Sequence, residues 1–418
     1  MYKNNHLQRL VETTEDKIKH IYKKIDNISA QNHARVLIAF KNAKASEYHL
    51  KGSTGYGYSD AARDVLEKIY AEIFCGQSAL VRGQIVSGTH AIALCLFGIL
   101  KPGDTLLSIQ GSPYDTLKKV IGIDNNTHGT IKDCGINYNQ IELLPDGRIN
   151  LEEVKKAFQS PVKMVMLQRS RGYSLNPPLS ISEIQTIVNF VKNIQPDTIV
   201  FVDNCYGEFV EDKEPCHVGA DLIAGSLIKN PGGGIAPTGG YVVGRKDLVA
   251  MAASRWTAPG IGSEVGPASE YQRLFMQGIF LAPHVVAEAL KGAVFTSCLF
   301  DQLGFSTFPK YDEDRTDIVQ AIILHNRNQL IHFCQAIQSA SPIDAHIKLV
   351  PAPMPGYEDE VIMAAGTFIQ GSSIELSADA PLRKPYAVYV QGGLSKEYVK
   401  LAVLSAVRSM LKTQQYNS

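Results

Sequence analysis

The sequence predicts an α/β protein with a large doubly wound domain, a mostly parallel sheet, and a smaller C-terminal α+β domain. Three observations carry that expectation. Apolar runs of strand length alternate with amphipathic helical stretches between about 80 and 245, the pattern of parallel strands joined by crossover helices. A long helical pattern follows over 264–300, and beyond about 305 strand-like and helix-like runs intermix. At 418 residues, 45% of them hydrophobic, the chain can fill more than one core. The expected divisions are 1–75 (a helical segment and arm), 76–300 (the large domain) and 301–418 (the small domain).

Residues 1 to about 75 are helical in pattern, interrupted by the polar run His49–Asp60. Strand-like runs follow at Ala79–Arg82, Thr105–Ile109, Lys163–Leu167 and Thr198–Val202, and Gln84–Val86 also reads as extended. Near-continuous apolar runs of this length are what strands buried on both faces look like. In the tail, Ile347–Val350 and Ala387–Val390 read as strands, and 314–339 and 395–413 as helices.

Composition excludes several classes. Forty-one basic and forty-one acidic side chains cancel, so no net field favours nucleic acid or an anionic membrane surface. No apolar run approaches the ~20 residues that span a bilayer, and the N-terminal segment lacks the apolar stretch of a signal peptide. Seven scattered cysteines without a CxxC pair indicate neither a disulfide framework nor a cysteine zinc site. A reducing, cytoplasmic setting is expected.

Lys229 is the most informative residue. It lies in the small-residue, nearly charge-free run Asp221–Gly244, read as strand, lysine, glycine-rich turn and second strand. Burial there should lower the pKa of its ammonium and make a nucleophilic amine accessible, which suits a Schiff base with a carbonyl cofactor such as pyridoxal 5'-phosphate, PLP. A lysine that simply reaches solvent is the alternative. Four further elements bear on the choice. Ser87-Gly88-Thr89 opens a helix, where free N–H groups suit a phosphate, although Ser87 also reads as an ordinary N-cap. Asp203 follows an apolar strand, the place where α/β sheets hold ligands; it can meet a pyridinium N–H, cap a turn or bind a metal. Ser226 stands three residues before Lys229 and can share one phosphate-facing turn with it. The S-x-x-K match this makes lacks its partner motifs and is rejected. Tyr114, on a loop after a strand, can lay its face on a planar ring or pack on the surface.

These pieces, in this order, resemble the fold-type I PLP enzymes of the cystathionine/methionine γ-lyase family. The closer likeness is to its bacterial aluminium-resistance, cystathionine β-lyase-like branch, through Ser53–Asp60, Gln84–Ala91, Gly371–Asp379, Arg383–Tyr386 and Gln391–Gly393. The resemblance implies a seven-stranded large-domain sheet, a PLP cofactor and an active homodimer or homotetramer. It implies Lys229 and Tyr114 as catalytic residues, with Ser87, Gly88, Thr89, Tyr114, Asp203, Ser226 and Lys229 around the cofactor. Tyr56 and Tyr58 resemble a tyrosine that reaches a neighbouring subunit's phosphate, with Arg63 as a possible companion. Arg383 matches the arginine that holds the substrate carboxylate. The chain departs from the family at Leu167–Tyr173, where Arg169 and Arg171 stand near the expected ring edge; they either bind an anionic substrate group, contact the cofactor or pair with acids such as Glu208. Pro231–Pro237 also differs. The implied reaction is a carbon–sulfur lyase acting on a sulfur-containing amino acid. Another PLP reaction on an amino acid, or a non-catalytic PLP-binding protein linked to metal tolerance, are the alternatives.

Overall fold

A computed structural model describes residues 5–123, 127–354 and 359–415; residues 1–4 of the N-terminal segment lie outside it. The chain opens with α1 (Asn5–Asn42) and α2 (Ala61–Ile73). It then alternates through β1 (Ser78–Arg82), α3 (Gly88–Ile99), β2 (Thr105–Ser108), α4 (Asp115–Ile121), β3 (Asn137–Gln140), α5 (Leu151–Ala157), β4 (Met164–Gln168), α6 (Ile181–Ile194), β5 (Ile199–Asp203), β6 (Leu222–Ser226), β7 (Gly240–Gly244) and α7 (Lys246–Trp256). The seven strands form one sheet in the order β1-β7-β6-β5-β4-β2-β3. β7 runs antiparallel to both neighbours, and the other neighbouring pairs are parallel. This is the seven-stranded, mostly parallel sheet that the sequence leads one to expect.

The long helix α8 (Gln272–Gln302) leads to β8 (Ser306–Phe308), β9 (Val319–Ile323), α9 (Arg327–Ser339), β10 (Val361–Ala364), β11 (Ser377–Pro381), β12 (Ala387–Gln391) and α10 (Lys396–Gln415). Their five strands make a separate antiparallel sheet, β10-β11-β12-β9-β8. α1 buries Leu7, Val11, Ile18 and Ile25, spaced so as to share one helical face, and packs along α8. α8 is long and apolar enough to cross a membrane by length and composition, but it is largely buried inside the protein.

Four local expectations are corrected. Gln84–Val86 is a turn, and β1 ends at Arg82. α8 begins only at Gln272 because Pro267 lies just upstream, and proline disfavours helix in the residue before it. Part of the 314–339 helix is instead β9, buried between β12 and β8; pairing with two neighbours outweighs helical propensity there. Ile347–Val350 is not a strand, and Val350 is 70% exposed. Its residues suit a strand, but among the described residues the edge beside them accepts a single bridge, Ala352 to Val361.

Candidate active site

A cavity of about 700 Å³ opens where the parallel strands end, the position in which α/β sheets place ligands. Asp203 is the last residue of β5 and Ser226 the last of β6. Lys229 follows three residues on, before a 3-10 turn over Asn230–Gly232. That turn admits no side chain at its third position, since a Cβ on Gly232 would stand 1.8 Å from the Leu227 carbonyl oxygen. Ser87 caps α3, accepting the His90 N–H at 3.0 Å, and it also lines the cavity. Ser87 is thus the N-cap of α3 and a cavity-facing residue at once. A Cβ on Gly88 would lie 3.1 Å from Cys205 Sγ and 3.4 Å from Ser226 Cβ, so glycine lets the start of α3 close onto the end of β6.

Tyr114 stands across the cavity, its hydroxyl 3.3 Å from Thr89 Oγ1, and burial pushes that hydroxyl well above the usual phenol range. Asp203 is 7% exposed, and its Oδ1 accepts the Cys205 N–H at 3.1 Å. Burial raises the Asp203 carboxyl, while Lys229 and the Cys205 N–H pull against it. Lys229 Nζ sits 4.0 Å from the centroid of the Tyr206 ring, within cation–π range. Tyr206 holds a φ of +70°, a left-handed conformation that costs a bulky residue about 1–3 kcal/mol. The turn after β5 thus accepts strain to put an aromatic face against the lysine.

The expected fall in the Lys229 pKa is corrected. Burial does pull it down, but Cys205, Tyr206, Asp203 and Tyr114 converge on the ammonium and the net shift is upward. Burial also pushes Cys205 and Tyr114 up toward their neutral forms. The sequence places a lysine in an apolar run; it does not show which acidic groups of neighbouring segments converge on its ammonium.

The arginines separate. Arg169 is corrected as a substrate contact: it is fully buried and does not line the cavity. Its Nη1 donates to Glu214 Oε2 and Asn204 Oδ1, each at 2.9 Å, and its Nη2 to Glu211 Oε2 at 3.1 Å. Its stem crosses Gly207, where a Cβ would come within 2.3 Å of Arg169 Cδ. The pairing with acids was foreseen, but its hydrogen-bonded carboxylates are Glu211 and Glu214. Glu208, also buried, instead accepts the Tyr241 hydroxyl at 2.7 Å, and burial pushes it up to about 8. Arg171 and Arg383 both line the cavity. Arg383 is half-exposed and pairs with Asp359 at 3.1 Å; Arg171 is buried.

Tyr56 and Tyr58 do not line this cavity; their rings are exposed, 5.7 Å apart. Arg63 is buried beneath them, donating to the Gly57 and Gly266 carbonyls, so it holds the arm's own turn. Sequence reasoning passed over Tyr206 and Gln168, which also line the cavity. The signal for Gln168 was present, as it is the first polar residue after the apolar run of β4.

The donor set fits PLP. One end of the cavity offers the opening N–H groups of α3 and the hydroxyls of Ser87, Thr89 and Ser226 for a phosphate. Asp203 offers a buried carboxylate for a ring nitrogen, Tyr114 a ring face, and Lys229 an amine for the carbonyl carbon.

Fold and site together define a PLP-dependent lyase of fold type I. The chain belongs to the methionine gamma-lyase family, whose model matches residues 7–411. It is similar to the uncharacterized Bacillus subtilis protein YnbB, 53% identical over 98% of this chain and 97% of that one. Among solved structures, a carbon–sulfur lyase involved in aluminium resistance from Clostridium novyi is 50% identical, with a TM-score of 0.94 over 98% of this chain and 96% of the other. A Listeria monocytogenes protein described as a candidate cystathionine beta-lyase involved in aluminium resistance is 51% identical, with a TM-score of 0.95 over 96% of this chain and 100% of the other.

Proposed function

We propose that this chain cleaves the carbon–sulfur bond of a sulfur-containing amino acid. The observation that carries this is the convergence of Lys229, Asp203 and the Ser87–Ser226 anion end in one cavity, with Asp203 and Ser226 buried. PLP, when bound, supplies an electron sink that makes the substrate Cα proton acidic. Asp203 would hold a proton at the ring nitrogen and so keep that sink effective. Lys229 would hold the carbonyl carbon of the cofactor and, with its amine free, would be the base that takes the proton from Cα. Tyr114 would lie against the ring, and its hydroxyl, kept protonated by burial, would give a proton to the departing sulfur. The C–S bond breaks with its electron pair on sulfur, which leaves as a thiol. The remaining enamine takes up water and becomes a 2-oxo acid and ammonia.

Incubating the PLP-loaded protein with L-cysteine, L-cystathionine and L-methionine tests the reading. The expected result is equal amounts of 2-oxo acid, ammonia and thiol or sulfide from at least one of them. Pyruvate would mark β-elimination and 2-oxobutanoate γ-elimination. A 2-oxo acid without free ammonia would mean transamination and overturn the proposal.

The exposed Tyr56 and Tyr58 support a homodimer or homotetramer in which this arm serves a neighbouring subunit's site. Light scattering at assay concentration should then give at least twice the 45.7 kDa chain mass; a fully active monomer would remove the arm's assigned role.

A further inference from the structure

The turn after β4 brings Ser170, Arg171 and Tyr173 to the cavity, and the reaction described above leaves all three without a task. Each is held by a carboxylate from the second sheet. Asp317, just before β9 and 2% exposed, accepts at Oδ2 from Ser170 Oγ and from the Arg171 N–H, each at 3.1 Å. The same oxygen lies 3.6 Å from Arg171 Nε, while Oδ1 accepts the Val319 N–H at 3.0 Å. Asp379, on β11, accepts at Oδ2 from the Tyr173 hydroxyl and from Gln391 Nε2, each at 2.8 Å. The Tyr173 ring packs on Tyr389 at 5.3 Å.

Charge is left over here. The Arg171 side chain is 2% exposed, and among the described residues no acceptor bonds its Nη1 or Nη2. Arg315 stands close by; burial, then the Arg171 charge, pulls it down to about 9. Two guanidinium groups therefore lie close together beside a cavity, with Asp317 paired to Arg171 and Asp317 and Glu313 both acting on Arg315. A buried cation without a full complement of acceptors is costly, and a carboxylate is the planar anion that matches an arginine fork.

We propose that Arg171, rather than the half-exposed Arg383, takes the substrate's α-carboxylate, and that Asp317 and Asp379 are positioning residues. They act across the two sheets: Asp317 aims the Arg171 fork, and Asp379 fixes Tyr173 beside it. The second sheet thereby sets how tightly the first sheet's cavity binds an amino acid. This rests on the proposed function, since it needs an amino-acid substrate.

The test is a double-mutant cycle on the PLP-loaded full chain, read by the change in visible absorption as L-cysteine is titrated in. Arg171→Gln should raise the half-saturating concentration about a hundredfold, and Asp317→Asn about tenfold, equivalent to about 1.4 kcal/mol. The double variant should match Arg171→Gln alone, because Asp317 acts through Arg171. Asp379→Asn provides an independent second variant with the same expected direction if Asp317→Asn does not fold. The spectra before cysteine is added should be alike in all variants. Additive effects would reduce Asp317 to a general structural role, and wild-type affinity in Asp317→Asn would overturn the proposal outright. A shifted cysteine-free spectrum in Arg171→Gln would assign that arginine to the cofactor instead. A wild-type protein whose spectrum ignores L-cysteine and every other sulfur amino acid would remove the proposed function, and this inference with it.

Discussion

Lys229→Ala should lower carbon–sulfur cleavage by more than about 10³-fold, the scale on which removal of an essential nucleophile or base acts. It should also remove the yellow colour that comes from PLP joined to a lysine. The geometry makes the prediction specific. Lys229 is a half-buried amine on the cavity wall, 4.0 Å from the Tyr206 ring centroid and within the field of Asp203. The other lysine on the cavity wall, Lys118, is 30% exposed and ion-paired with Asp115 at 3.0 Å. Lys118→Ala is therefore the control and should keep both colour and activity. Absorption spectra and initial rates on the three proteins decide the matter. Colour and activity surviving in Lys229→Ala would sink the assignment.

Arg169→Met should destabilise the fold by about 3–5 kcal/mol, the cost of removing one partner from a buried ion pair. Methionine approximates the stem's volume, so the loss reports charge more than space. Glu214, which is fully buried, would lose its 2.9 Å bond and Glu211 its 3.1 Å bond. Glu214 would keep its ion pair with Arg35 at 3.5 Å, but the cation between the two carboxylates would be gone. The sign with pH follows from that. Glu211, whose carboxyl burial already pushes up, takes up a proton as the pH falls and so sheds its stranded charge, and the gap between variant and wild type should narrow. Urea denaturation at neutral and acidic pH measures both quantities. Adding Glu211→Gln and Glu214→Gln to Arg169→Met should recover much of the loss. If Arg169 held substrate instead, stability would barely move and amino-acid affinity would fall.

The large sheet was legible because its strands are buried on both faces and read as unbroken apolar runs. β4, β5, β6 and β7 could all be located from that signal. β3, with the sequence Asn-Tyr-Asn-Gln at the sheet edge, carries no such signal. The second sheet was less legible. β9 was read as part of a helix and Ile347–Val350 as a strand, because pairing depends on which edges are free. Lys229, Asp203, Ser226 and the Ser87–Thr89 turn were legible because each follows a strand or opens a helix, and such ends converge in any parallel sheet.

The order of strand-end residues along the chain was enough to bring Ser87–Thr89, Asp203, Ser226 and Lys229 into one predicted cluster, and they line one cavity. The direction of each charged side chain was decided only by tertiary structure. Arg169 and Arg171 are two positions apart, and strand alternation would put them on one side. β4 ends at Gln168, however, and Gly172 takes a φ of +55°, so parity no longer applies beyond the strand. Arg169 turns to Glu214, 45 residues away, and Arg171 to Asp317, 146 residues away. Local periodicity encodes which face of an element is buried. It does not encode which distant carboxylate waits there, because a buried charge takes its place from its partner.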